Sequence, residues 1–141
     1  MAEQQMSDTP ITATCHCGGV SITAPRRPDF VNECQCTLCR RYATAWAYYD
    51  PAEVKIEIKA GAATSKYIWG DRDHSFDFCS KCGCMCYWWP IKKQTTPMMG
   101  LNTRLVDPEQ LRFVTRKIDY DQLYVPINSK DPPHPEDKAE Y

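Results

Sequence analysis

The sequence predicts a mainly β fold, built as a single domain with short helical turns. Three observations lead to this prediction: the chain carries many short runs of strand-forming residues, few helical stretches, and Gly or Pro turn signals between them. The clearest strand is 54–59, where apolar and charged side chains alternate strictly, as they do in a strand with one buried face. The length of 141 residues is that of one domain of ordinary size.

The first part of the chain begins with a polar stretch, 1–12, which we interpret as a flexible leader. A strand is predicted at 20–23, and it ends before two closely spaced prolines because proline cannot donate to a sheet ladder. An extended segment at 30–36 follows. The next segment, 37–47, is predicted to start as a helical turn with Thr37 near its cap.

The middle of the chain is predicted to be a series of strands separated by turns. Gly61 ends the alternating strand, and Pro90 ends a strand rich in aromatic residues. In chain order these strands are 54–59, 64–69, 75–78 and 86–89.

The C-terminal part is predicted to hold one more turn and one more strand. A short helical turn at 107–111 has Asp107 as its N-cap and a proline at its first position, and both residue types are favoured there. The last strand is predicted at 111–118. From residue 128 the composition is rich in Pro, Lys and acidic residues, so we expect a C-terminal tail at 128–141 and the domain itself at 13–127.

The composition excludes several classes of function. Lys plus Arg number 17 and Asp plus Glu number 18, which gives a formal net charge of −1 and no bulk electrostatic case for binding nucleic acid or a membrane surface. No apolar run approaches the roughly 20 residues of a membrane span, and the polar N-terminus shows no secretory signal. We therefore expect a cytoplasmic protein that binds neither nucleic acid nor a membrane, with a homodimer left open.

Nine of the residues are cysteine, and their spacing favours metal binding over disulfides. Thiols two or three residues apart pair poorly in a disulfide, whereas they converge well on one ion about 2.3 Å from each sulfur. The odd count would also leave one thiol over in a disulfide framework. Soft thiolates without carboxylates select Zn²⁺, with iron as the main competitor.

Seven of these thiols belong to motifs, and seven divides into four and three. Four thiolates make a closed, structural zinc site, while three leave a position for water or substrate. A partition in which the closed site borrows a pair from the 34–39 cluster is less economical and stays open at this point. The economical partition places Cys15, Cys17, Cys79 and Cys82 in the closed site and Cys34, Cys36 and Cys39 in the open one.

Two further cysteines, Cys84 and Cys86, have no assigned role. We expect them to be alternating strand residues, one of them in the core, with service as a fourth ligand or a resolving thiol as the alternative.

An open site of three thiolates favours a particular chemistry. A thiol that enters the fourth position loses its proton because the cation stabilises the thiolate, and the sulfur then attacks a small electrophile such as an aldehyde. The reverse reaction cleaves a carbon–sulfur bond. Arg40 and Arg41 directly follow the cluster, where they could offset its charge or bind substrate carboxylates.

The cysteine motifs and their neighbours resemble one known family. The chain carries Cys-x-Cys-Gly from Cys15, Cys-x-Cys-x-x-Cys-Arg-Arg from Cys34, and Phe-Cys-x-x-Cys-Gly from Phe78. This order is similar to that of the glutathione-dependent formaldehyde-activating enzyme family, which also contains the centromere protein V group. The motifs span 15–83, and with a compatible strand pattern to about residue 118 the resemblance covers most of the chain.

The resemblance implies a zinc-stabilised, tent-like β domain of the Mss4-like type. It implies carbon–sulfur lyase chemistry, with the joining of glutathione and formaldehyde into S-(hydroxymethyl)glutathione as the founding activity. The chain departs from the family pattern after Gly83, where small or apolar residues are usual and this chain has Cys84-Met85-Cys86. The implied zinc ligands are Cys15, Cys17, Cys79 and Cys82 at a structural site and Cys34, Cys36 and Cys39 at a catalytic site.

Two other functions stay open at this point. The second zinc could act as a Lewis acid on another small metabolite without glutathione, and the aromatic content of 11% favours this alternative. The chain could also be a non-catalytic, zinc-stabilised binding module, against which the near-neutral charge and the lack of a basic tail speak.

Overall fold

The structure is a computed structural model, and it describes residues 8–94, 96–121 and 123. Within these residues the chain forms ten strands in two sheets and one α-helix, α1, at Cys39–Tyr42, so the mainly β prediction is confirmed. Three short 3₁₀ turns complete the fold, at Pro51–Glu53, Thr103–Leu105 and Pro108–Leu111. The strands are β1 Ile11–Thr14, β2 Val20–Ala24, β3 Phe30–Cys34, β4 Trp46–Tyr49, β5 Lys55–Ile58, β6 Thr64–Ile68, β7 His74–Cys79, β8 Met85–Pro90, β9 Met99–Asn102 and β10 Thr115–Asp119.

The two sheets differ in size, and within each of them nearly all strand pairs are antiparallel. The small sheet has the order β1-β2-β5, and the large sheet has the order β10-β3-β4-β9-β8-β7-β6. Only the pair of β10 and β3 is parallel among the described strands, with Asp119 opposite Cys34 at its end. This pairing brings residues near the C-terminal end of the described fold beside the first cysteine of the 34–39 cluster.

The predicted strands at 20–23, 54–59, 64–69, 75–78 and 86–89 each coincide with an observed strand and are confirmed. The predicted cap is confirmed as well, because the Asp107 side chain accepts a hydrogen bond from the backbone amide of Glu109.

The predicted helical turn with Thr37 near its cap is confirmed: the helix begins at Cys39, and the adjacent Leu38 is at the cap position without a side-chain capping bond. One local prediction is corrected. The last strand begins at Thr115, later than predicted, because Phe113 has a left-handed backbone (φ 67°) that no strand residue adopts.

The sequence did not predict β1, β4 or β9. The first of these begins at Ile11, two residues before the predicted start of the domain at 13. The predicted tail at 128–141 lies outside the described residues. The division into leader, domain and tail therefore stays a prediction.

The large sheet has two buried faces, which strand alternation keeps separate. On β4, Ala47 and Tyr49 point into a core formed with the small sheet, whereas Trp46 packs on the other side. This other side is the aromatic face, which we define by Trp46, Tyr48, Phe76, Phe78 and Trp88; the cysteine loop 34–39 and the helix cover it.

Gly100 lets two aromatic side chains of this face meet across an intervening strand. It lies opposite Tyr48 on one side and Trp88 on the other. A Cβ at this position would overlap the Trp88 indole. With no side chain there, the Tyr48 and Trp88 rings approach with centroids 6.0 Å apart.

We expect Gly100→Ala to destabilise the protein by about 1–3 kcal/mol, because the added methyl group forces Trp88 out of its packed position. Urea unfolding followed by tryptophan fluorescence measures the change. Adding Trp88→Phe to the same chain removes the indole atoms that the new methyl group would overlap. The double variant should therefore lose less unfolding free energy than the two single variants lose in sum. An unfolding midpoint for Gly100→Ala equal to that of the unchanged protein would contradict this packing.

None of the helices in the described part of the chain has the length and apolarity that a membrane crossing requires.

Candidate metal centres

The first group of thiols joins the two sheets at their hairpin tips. Cys15 and Cys17 follow β1, Cys79 ends β7, and Cys82 lies in the turn between β7 and β8. Their four Sγ atoms all lie within 4.8 Å of one another. The Sγ atoms of Cys15 and Cys17 are 3.6 Å apart, and those of Cys17 and Cys79 are 3.5 Å apart.

Similar backbone turns shape the two halves of this group. In the first, the Gly18 amide donates to the Cys15 carbonyl at 2.9 Å; in the second, the Gly83 amide donates to the Cys79 carbonyl at 2.9 Å. Both glycines have positive φ, 80° and 78°, a conformation that residues with a Cβ rarely adopt. The turns fold each cysteine pair back on itself, so that both pairs offer their sulfurs to one point.

The donor set of the first group fits zinc. Four sulfurs at about 2.3 Å from one tetrahedral ion lie about 3.8 Å from one another, close to the spacings seen between the thiols here. The backbone amide of Val20 also donates to the Cys15 sulfur at 3.3 Å, the kind of bond that orients a thiolate ligand.

The second group contains three thiols on the aromatic face of the large sheet. Cys34 ends β3, Cys36 lies in the following loop and Cys39 starts the helix. Their Sγ atoms also lie within 4.8 Å of one another, and within the described residues no fourth Cys, His, Asp or Glu joins this group. The structure therefore brings together the four and the three thiols of the economical partition.

Hydrogen bonds and charge repulsion order the three thiols of the second group. The Cys39 amide donates to the Cys36 sulfur at 3.2 Å, and the Trp46 indole donates to the Cys39 sulfur at 3.3 Å. Hydrogen bonds from the neighbouring thiols of Cys34 and Cys39, helped by backbone amides, lower the pKa of Cys36 to about 2. The same neighbours and burial raise the pKa of Cys39.

Aromatic rings and one histidine surround the second group. His74 lies with its ring centroid 5.1 Å from that of Phe76 and 4.7 Å from that of Trp88. Its Nδ1 is buried and has no hydrogen-bond partner among the described residues. Burial lowers the pKa of His74, so the ring stays neutral in this apolar setting.

An open groove of about 660 Å³ lies between β3, β4 and β10; Asn32, two residues before Cys34 on β3, lines it, whereas the three thiols do not. Tyr48 links the two, because it packs against the thiol cluster and also lines the groove. Burial raises the pKa of Tyr48 to about 12, and the nearby Cys34 and Cys39 add to the rise. The remaining lining residues are Phe30, Asn32, Lys117, Ile118, Asp119, Tyr120 and Asp121.

Arg40 and Arg41, the predicted substrate-binding residues, bond to the main chain. One nitrogen of Arg40 donates to the carbonyls of Gln35 and Leu123, at 2.7 and 2.9 Å. Arg41 donates to the carbonyl of Thr37 at 2.7 Å. These bonds stabilise the cysteine loop, and contact with substrate stays a prediction for both.

The two remaining cysteines lie with the first group, on the side of the core between the sheets. Cys86 is fully buried, and burial raises the pKa of its thiol to about 12. Cys84 is partly buried; the His16 amide lowers its pKa, but burial and the Cys82 thiol outweigh this and raise it. The expected core position of one of the two is confirmed for Cys86, and both lie away from the second group.

Sequence reasoning missed the residues that connect the second group to the groove. Tyr48 was only one aromatic residue among many, and Asn32 and Asp119 carry no motif. The three meet through the pairing of β3 with β4 and β10, which local sequence does not reveal.

By its fold and its two thiol groups, this protein is a small β domain with two cysteine sites that could each hold a metal ion. The sequence profile described as glutathione-dependent formaldehyde-activating enzyme matches residues 10–118. The chain therefore belongs to the glutathione-dependent formaldehyde-activating enzyme family, and the resemblance of its motifs is confirmed.

Comparison with solved structures adds a protein of similar fold. The chain is similar in fold to a Rhodobacter sphaeroides protein with a crystal structure, at a TM-score of 0.56 and 23% sequence identity. The similarity covers 75% of this chain and 99% of the other. A search of curated proteins found no match.

Proposed function

We propose that this protein is a zinc-dependent enzyme of the carbon–sulfur lyase type, which joins a small thiol such as glutathione to formaldehyde. The observation that carries the proposal is the group of three thiols with no fourth ligand among the described residues. Tyr48 connects this group to an open groove, because it packs in the same cluster and lines the groove. Three protein ligands and one vacant position are typical of catalytic zinc, whereas four close a structural site. Membership of the family supports the same reaction.

Each thiol group has its own task in this proposal. Cys15, Cys17, Cys79 and Cys82 would hold a structural zinc ion that joins the two sheets. Cys34, Cys36 and Cys39 would hold the catalytic one. A zinc ion at the second group would lower the pKa of the substrate thiol and keep it as a nucleophilic thiolate.

The groove offers opposite charges to a substrate of the glutathione type. Lys117 lies with its Nζ 4.3 Å from the centroid of the Phe30 ring and could bind a substrate carboxylate. Asp121 and Asp119 line the groove as well and favour a substrate ammonium group. A zwitterionic peptide thiol carries both charges, which supports glutathione over a simple alkyl thiol. We also propose that the protein is cytoplasmic, because a small thiol substrate is kept reduced in that compartment.

A second candidate function keeps the zinc site and changes the substrate. The aromatic face around His74 favours an apolar or aromatic metabolite, on which the ion would act as a Lewis acid without glutathione.

NMR exchange spectroscopy tests the first candidate directly. In a mixture of glutathione and ¹³C-formaldehyde, we expect the exchange rate between free glutathione and its hydroxymethyl adduct to rise in proportion to protein concentration. Metal content is measured on the same sample, with two zinc ions per chain expected. The Cys84→Ser variant is the matched control, because this thiol lies outside both groups, and it should accelerate exchange equally. Protein with two zinc ions and no acceleration would reject glutathione and formaldehyde as substrates.

A further inference from the structure

A short chain of hydrogen bonds connects three side chains at the edge of the groove. The Asn32 side-chain nitrogen donates to the Tyr48 hydroxyl oxygen at 2.7 Å and to Asp119 Oδ2 at 3.1 Å. The other carboxylate oxygen of Asp119 accepts from the Asp121 amide at 2.9 Å. Both oxygens of the Asp119 carboxylate therefore accept a hydrogen bond, one from the Asn32 side chain on β3 and one from the backbone amide of Asp121 in the turn after β10.

The carboxylate decides which way the Asn32 amide faces. An ionised Asp119 can only accept hydrogen bonds, so the amide must turn its nitrogen toward it. The same nitrogen then faces the Tyr48 oxygen, which accepts the bond. The hydroxyl proton of Tyr48 is left to point elsewhere, and no described residue accepts it.

We infer that Tyr48 donates its hydroxyl hydrogen bond to the reacting oxygen of the substrate in the groove, and that Asn32 and Asp119 hold the hydroxyl in the donating orientation. This inference rests on the proposed function for the identity of the substrate. Its geometric support is that Tyr48 lines the groove and packs against the thiol cluster. A phenol is protonated near neutral pH, as a donor must be.

In the reaction, the sulfur–carbon bond forms while the carbon–oxygen π bond of formaldehyde breaks. The electron pair of that bond moves to the oxygen, and the Tyr48 hydrogen bond stabilises the charge there. Water takes the proton of the substrate thiol and supplies the proton that the oxygen finally holds. Tyr48 keeps its own proton throughout, and in the reverse reaction it stabilises the same oxygen.

The test begins with Tyr48→Phe, which removes the hydroxyl and keeps the ring. We expect kcat to fall roughly 100-fold, as for the loss of one oxyanion donor, with KM and the content of two zinc ions unchanged. Tyr49→Phe is the matched control on the same strand: its hydroxyl donates to the Arg26 carbonyl on the opposite face, and its kcat should not change. A Tyr48→Phe enzyme with full kcat would overturn the inference.

Asp119→Asn tests the positioning residues. The new amide must keep its oxygen toward the Asp121 amide, so its NH₂ group faces Asn32, which then turns its own oxygen toward Tyr48. The Tyr48 hydroxyl would donate to Asn32 instead of the substrate. We expect kcat to fall toward that of Tyr48→Phe, and the double variant to show no further loss. If the kcat loss of the double variant were the product of the two single losses, the positioning role of Asn32 and Asp119 would be overturned.

A binding measurement separates this inference from the proposed function. Calorimetry compares S-(hydroxymethyl)glutathione, held in equilibrium with formaldehyde, with S-methylglutathione, which lacks the oxygen. The unchanged protein should prefer the hydroxymethyl compound about 5-fold, and Tyr48→Phe should lose this preference. Loss of the preference supports the inference even if no turnover is found, in which case only the proposed function fails. Turnover without any preference would overturn the inference and leave the function standing.

Discussion

Cys79→Ser is expected to leave the chain largely unfolded at 25 °C, with both metal ions lost. The first thiol group joins the tips of two hairpins, one from each sheet, so a zinc ion bound there would support the contact between the sheets. Binding of a structural zinc ion provides about 10–16 kcal/mol in small zinc domains. The net stability of a folded domain is only about 5–15 kcal/mol, so the protein cannot lose this contribution and stay folded.

Circular dichroism and metal analysis of the purified variant measure this effect. Cys84→Ser is the matched control because Cys84 lies beside the first group but outside its four sulfurs. It should keep two zinc ions and the melting temperature of the unchanged protein. A folded Cys79→Ser protein with two bound ions would show that the first group is not a structural site.

Cys36→Ser is expected to abolish activity while the fold survives. Without Cys36 only two thiols of the second group remain to hold an ion. The core between the two sheets does not include this group, so the domain should stay folded with one zinc ion per chain.

The two variants form a crossed test. Cys79→Ser should lose the fold, whereas Cys36→Ser should lose the hydroxymethylglutathione exchange activity and one metal ion alone. Cobalt substitution gives a spectroscopic check, because sulfur-to-cobalt absorption bands should fall in Cys36→Ser to the level of one site. Full activity in a Cys36→Ser protein with one ion would move the catalytic role away from the second group.

The sequence predicted the thiol groups well because their chemistry is local. Cysteines two or three residues apart, followed by glycine, favour a tight turn around an ion wherever the segment lies in the fold. The strand at 54–59 was equally clear, since strict alternation has one simple explanation. Short spacing and periodicity carried these predictions.

Among the strands that the sequence did not predict, β9 lacks such local signals, whereas β1 carries them in its alternating Ile-Thr-Ala-Thr run. β9, with Met99, Gly100 and Leu101, has no β-branched residue and contains a glycine, which weakens a strand on its own. It forms because neighbours on both sides pair with it, and the glycine is there to admit the Trp88 ring.

The groove was out of reach of sequence reasoning for a related reason. Asn32 and Asp119 lie 87 residues apart and meet only through the parallel pairing of β10 with β3. A contact at that separation depends on the whole topology.

The separation of the two faces of the large sheet has a consequence for how such a protein can change over time. The first thiol group belongs to the side of the small sheet, and the groove and the aromatic residues belong to the other side. Substitutions at the groove, for example at Lys117 or Tyr120, leave the core between the sheets untouched. Homologous proteins can therefore evolve toward different substrates by changes in the groove while the core between the sheets stays the same.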